Sequence, residues 1–156
     1  MNEFNRISKE LELLIQKWEP ILLALPQETL INRRNSQNRN IKQILGHLID
    51  STSNNTHRVV HLQYQKSPLV FPNYATYGNN DRWISIQNYQ EEDWKNLIQL
   101  WKYSTLHFCH VIEYVDKEKL NNQWLSSARK KISLQEMVID FPKHFMLHLK
   151  EIKELI

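Results

Sequence analysis

An all-α fold, a four-helix bundle with a long connection between helices 2 and 3, is predicted by three observations. Apolar residues recur at helical spacing in four separate segments. Glycine supplies only 2 of 156 residues, too few for the tight turns of an all-β chain. Two of the four segments open on a capping-box pattern, Asn40 with Gln43 and Ser133 with Glu136. The length predicts a single domain, 1–156, large enough to bury a core.

The first segment places Phe4, Ile7, Leu11, Leu14, Trp18, Ile21, Leu22 and Leu25 on one stripe. Pro20 is expected to kink it or restart a turn, and Pro26 to end it. Thr29 to Arg39 is polar and reads as a loop. Helix 2 starts at the Asn40 cap, and its inward stripe runs Ile41, Ile44, Leu45, Leu48, Thr52, Asn55, Val59 and Leu62. A hydroxyl and an amide in mid-stripe suit a helix lining a polar pocket. The connection Lys66 to Asn88 carries Pro68, Pro72 and Gly78, and also the aromatics Phe71, Tyr74, Tyr77 and Trp83. A connection this long is usually functional or mobile, and Tyr77 and Trp83 are candidates for a pocket lid. Their alternative is ordinary packing at the bundle end. Helix 3 is expected from Tyr89, capped by Asn88, with Glu91, Glu92 and Asp93 in its first turn, favourable at the positive end of the helix dipole. Asp116 to Ile132 is a polar connection, and Ser133 opens helix 4.

Apolar content of 41%, charged content of 24% and a net charge of +3 describe an ordinary, mildly basic globular protein. No apolar run is long enough to span a membrane, and the first residues lack the blocks of a signal peptide. A lone cysteine, Cys109, excludes an intrachain disulfide and fits a reducing cytoplasm. It lies beside Phe108 with no basic neighbour and reads as a core residue, not a nucleophile.

The chemistry concentrates in the histidines. His144 and His148 are four residues apart inside the apolar stripe of helix 4, so their imidazoles stack on one face about 6 Å apart along the axis. Inward imidazoles need a hydrogen-bond partner or a metal, and a pair alone fits either. His47, beside Ile44 and Leu48 on the inward half of helix 2, is the third candidate. Three histidines with an open fourth position describe a catalytic zinc-type site, with Asp50 and Asp140 as candidate acceptors for the second ring N–H. Both aspartates read equally well as capping or solvent-facing residues. His61 lies about 21 Å along the axis from His47 and cannot share its ion. His57 and His61, among Asn54, Arg58 and Gln65, read as an exposed face, and His110 reads as exposed.

The run Asn40-Ile41-Lys42-Gln43-Ile44-Leu45-Gly46-His47-Leu48-Ile49-Asp50-Ser51 resembles the second-helix signature of the DinB-like superfamily of four-helix bundles. Asp93-Trp94-Lys95 through Trp101, then Leu106, resembles its third helix. Ser133 to Phe141, followed by His144 and His148, resembles its fourth. The resemblance spans essentially the whole chain and implies metal ligands at His47, His144 and His148. It further implies a bacterial setting and, for some members, S-transfer using a low-molecular-weight thiol such as bacillithiol or mycothiol. Pro142, two residues before His144, departs from an ideal helix: it frees the carbonyl of Val138 and threatens a kink.

The expected function is a divalent-metal-dependent enzyme (zinc, nickel, iron or copper) acting on a small molecule by thiol transfer or hydrolysis. The alternative is a non-catalytic, metal-stabilised stress-response or interaction module, self-associating as a homodimer. Nucleic-acid binding by Arg33, Arg34, Arg39 and Lys42, or by Arg129, Lys130 and Lys131, is the weakest reading, because no DNA-binding motif accompanies the charge.

Overall fold

Four long helices dominate the computed structural model, which describes residues 2–126 and 128–156: α1 (Glu3–Leu23), α3 (Ile41–Tyr64), α5 (Trp94–Glu113) and α6 (Leu134–Glu154). Both capping boxes form. Asn40 accepts from the Gln43 amide and Ser133 from the Glu136 amide, and each third-position side chain returns the bond. Helix α1 lies against α5 and α6, and α3 lies against the same two. The first two long helices therefore stand across the bundle from one another, and α3 and α6 face each other along the seam that holds the histidines. The core is sealed by aromatic packing: Trp101 stacks on Phe145 at 5.9 Å and Phe108 meets Phe141 at 4.5 Å.

The connections are more structured than their polarity suggests. Gln27–Asn32 forms α2 inside the expected Thr29–Arg39 loop, burying Leu30, and Asn79–Gln87 forms α4 inside the long connection. A three-stranded sheet accompanies the bundle: β1 (Leu69–Val70) pairs parallel with β2 (Gln123–Leu125), which pairs antiparallel with β3 (Lys131–Ser133). Trp124 is the middle residue of that sheet, opposite Leu69 and Ile132.

The start of α5 is corrected, and both internal prolines lie within continuous helices. Pro20 neither ends nor restarts α1, which runs on to Leu23, and Pro26 caps α2. Helix α5 begins at Trp94, with Asp93 as its cap accepting from the Asn96 amide at 2.9 Å. Asn88 closes α4 in the left-handed conformation, so Glu91 and Glu92 precede α5. Pro142 leaves α6 unbroken from Leu134 to Glu154. It is buried.

Candidate metal centre

His144 and His148 project from successive turns of α6, and His47 meets them from α3. The Nε2 atoms of His144 and His148 lie 3.1 Å apart. The His47 ring sits 4.6 Å from that of His148 and 5.5 Å from that of His144, both edge-on. One nitrogen from each of the three falls within 4.8 Å of the others. Two imidazole nitrogens on a tetrahedral ion at about 2.1 Å would be about 3.4 Å apart, so the donor set fits such an ion. Among the described residues no other cluster of this kind occurs.

The outer nitrogens are held by two residues that sequence reasoning did not single out. Glu151 accepts from His148 Nδ1 at 2.9 Å, and Asn35 Nδ2 donates to the same carboxylate at 3.2 Å. A carboxylate behind a ligating histidine fixes its tautomer and leaves Nε2 free to ligate. The spacing of His148 and Glu151, three residues apart on one helix, was the available signal. Tyr74 Oη lies 3.1 Å from His47 Nδ1 and 3.4 Å from Ser51 Oγ. Tyr74 comes from the loop after β1, and no spacing in the sequence points to it.

Both predicted aspartates take other partners. Asp50 is buried, but its Oδ1 accepts from Tyr89 Oη and Gln87 Nε2, each at 2.6 Å. A residue three along from His47 is turned toward α4, away from the histidine. Asp140 is exposed and pairs with Lys143 at 3.2 Å. Tyr77 is 82% exposed and lines neither of the two cavities beside the histidines. Trp83 reaches the site only through the Tyr74 ring, edge-on at 5.1 Å. Elsewhere, His57, His107 and His110 are exposed as well, and Cys109 is buried, its thiol pushed up to about 11 by burial. The first basic cluster is occupied structurally: Arg39 pairs with Asp81 at 2.7 Å, Lys42 donates to the Glu92 carbonyl and Arg33 to the Leu155 carbonyl.

His47 and His144 form part of the wall of a cavity of about 420 Å³, together with Ser51, Asn55, Arg58, Tyr74, Trp124, Met137, Asp140 and Phe141. Asn55 thus does line a pocket, as the break in its apolar stripe suggested. A second cavity of about 320 Å³ adjoins it, sharing Arg58, Tyr74, Ala75 and Trp124. Volumes of this order suit a small molecule.

Burial holds His47 and His144 neutral. It pushes His47 down to about 2, with the neighbouring His148, Arg39 and His144 adding to the effect, and His144 down to about 4, assisted by His148. Neutral imidazole is the form that ligates a metal. The sign for stability follows. The unfolded histidines bind protons near 6.5 while the folded ones do not, so the unfolded state gains protons first and stability falls as pH drops below 6.5. Each group contributes a loss on the order of 2 kcal/mol by about pH 5. Burial raises the folded Asp50 carboxyl, which offsets part of this at still lower pH. Metal-free protein is therefore expected to melt at a markedly lower temperature at about pH 5 than at pH 7. The His47→Gln/His144→Gln variant should show a flatter profile; equal slopes would exclude these two histidines as the cause.

No family model matches the sequence, and no curated protein does. Solved structures do. The chain is similar to YfiT from Bacillus subtilis, described as a probable metal-dependent hydrolase with an unusual four-helix bundle topology, at a TM-score of 0.83 and 14% identity, covering 99% of this chain and 87% of that one. It is also similar to a mycothiol-dependent maleylpyruvate isomerase, at 0.77 and 8% identity, covering 97% of this chain and 61% of that one. The chain thus spans about three-fifths of the isomerase. At these identities the likeness is one of fold: the chain has the four-helix bundle topology of these structures.

Proposed function

We propose that this chain is a divalent-metal-dependent enzyme of the DinB-like type, transferring a low-molecular-weight thiol to a small electrophile or hydrolysing a small molecule. The observation that carries the reading is the convergence of three imidazoles, His47, His144 and His148, of which burial holds His47 and His144 neutral on the wall of a ligand-sized cavity. Zinc, nickel or iron suits such a donor set. When bound, the ion supplies Lewis acidity, lowering the pKa of a water or thiol in its open position toward neutrality.

The chain's own residues prepare that position. Glu151 accepts the Nδ1–H of His148, and Tyr74 Oη stands at His47 Nδ1, where it would accept the N–H of the tautomer whose Nε2 ligates. Met137, Phe141 and Trp124 supply the apolar part of the wall, and Ser51 and Asn55 its hydrogen-bonding part. The mycothiol-dependent isomerase and the hydrolase that share the fold favour a small-molecule substrate and a thiol co-substrate. No helix among the described residues is long and apolar enough to cross a membrane, and a free, buried Cys109 accords with a reducing cytoplasm.

The test is metal loading followed by turnover. Elemental analysis after incubation with Zn²⁺ or Ni²⁺ should find about one ion per chain. Melting temperature should rise and fall back on chelation. Turnover is then measured with a small thiol and an electrophile, and with an ester. Protein that cannot be loaded would sink the reading. Tight loading without turnover would leave the non-catalytic, metal-stabilised module.

A further inference from the structure

Three basic side chains of α3 and the segment before it are buried, and they differ in how they are compensated. Arg39 has the Asp81 carboxylate on two of its nitrogens, at 2.8 and 2.7 Å, and Lys42 has the Glu92 carbonyl. Arg58 is only 8% exposed, yet among the described residues no carboxylate lies within ion-pair distance of it. Among the described residues its one hydrogen-bond contact is a long one, Nη1 to Asn55 Oδ1 at 3.5 Å. The guanidinium lies over the Trp124 ring at 4.2 Å and within 6.0 Å of the Phe71 centroid. Stacking of this kind compensates a buried cation in part and leaves the in-plane N–H donors unused. A buried charge without a counter-ion is costly, so an anion entering the cavity would gain by pairing with it.

The place where that partner would sit is defined. Arg58 lines both cavities, so its donors stand at their junction, one cavity away from His47 and His144. Asn55 and Ser51 are on the same wall, and Arg129 lines the outer cavity. The one acid on either wall, Asp140, is exposed and already paired with Lys143.

We infer that Arg58 is the specificity-determining residue of this cavity, binding a carboxylate of the small-molecule ligand by its guanidinium fork and thereby directing the rest of that ligand toward the three histidines. A carboxylate is favoured over phosphate because a single planar fork walled by aromatic rings matches a planar, two-oxygen anion. The carboxylate could belong to the electrophile or to the thiol, and the chemistry recognised is the same. The inference rests on the proposed use of this cavity as the reaction site, but carboxylate binding itself needs no metal.

The experiment titrates chelator-treated protein with benzoate, with its neutral isostere benzamide and with inorganic phosphate, by calorimetry and by Trp124 fluorescence. Benzoate should bind at least about tenfold tighter than benzamide, the worth of one charge-assisted fork. Arg58→Gln should abolish that preference, and Arg58→Lys, which keeps the charge but not the fork, should fall between. Should Arg58→Gln fail to fold, Arg58→Lys alone decides, with an undiminished preference counting against the inference. Equal binding of benzoate and benzamide, a preference that survives in Arg58→Gln, or phosphate binding tighter than benzoate would each overturn it. Elemental analysis of the same protein after incubation with Zn²⁺ keeps the two readings apart: a chain that prefers benzoate but takes up no ion refutes the metal reading alone, and a chain that loads but shows no preference refutes this one alone.

Discussion

Replacing His148 by alanine is expected to abolish metal retention, from about one ion per chain to none after a desalting step. His148 is the hinge of the cluster: its Nε2 faces His144 at 3.1 Å, its ring lies closest to His47, and its Nδ1 is anchored by Glu151. Two remaining imidazoles cannot hold a divalent ion against water as three do. A graded series separates ligand from support. Glu151→Gln keeps a hydrogen-bonding group but removes the charge behind His148, and should weaken affinity about 10- to 100-fold. Asp140→Asn, at a carboxylate whose ion-pair partner is Lys143, should leave retention unchanged. Asp50→Ala should also leave the ion in place while costing about 1–3 kcal/mol of stability, because it strips the acceptor from Tyr89 and Gln87. Elemental analysis and competition with a chromophoric chelator measure all four. Full occupancy in His148→Ala would show that the three histidines are not the site.

The largest effect on folding is expected at Gly46. A glycine in mid-helix costs about 1 kcal/mol relative to alanine, so its presence one residue before His47 asks for a reason. Tyr89 is the reason. A Cβ at Gly46 would sit 2.7 Å from Tyr89 Cε2 and closer still to Cδ2 and Cγ. That ring has nowhere inexpensive to go, because it is 2% exposed and its Oη donates to Asp50 at 2.6 Å. Gly46→Ala must displace the ring, break that bond or push α3 off it, for a net loss on the order of 3 kcal/mol. Denaturant unfolding should show it as a lowered midpoint. In a Tyr89→Ala background the same substitution should be neutral or stabilising, since the obstacle is gone and the helix propensity gain remains. A cost that persists there would mean the close approach of Tyr89 is not its origin.

The histidine pair of α6 and the capping boxes were legible because they are local. Three or four residues along a helix define a neighbour without reference to the rest of the chain. His47 was legible for a related reason, since an imidazole inside an apolar stripe has to face the core. Asp50 shows the limit of that argument. It stands three residues beyond His47, near enough on the chain to look like its partner. Whether a buried carboxylate serves one donor or another depends on who arrives from elsewhere, here Tyr89 and Gln87 from the end of α4. Arg58 is the plainest case. Among His57, Asn54 and His61 it reads as solvated, and it is buried because β1 and β2, distant in sequence, carry Trp124 over its guanidinium and bring Phe71 beside it.

By itself the sequence determined the four long helices, the capping boxes of two of them and which three imidazoles turn inward, because periodicity and capping are encoded within a few turns of one segment. Only the tertiary structure decided what surrounds them. Tyr74, reached from a loop, and Glu151, anchored by Asn35, became the outer partners of the histidines, and Arg58 became a cavity wall without a counter-charge. Such roles depend on contacts between residues far apart in the chain, and a hydrogen bond or a cavity exists only once both sides have been packed together.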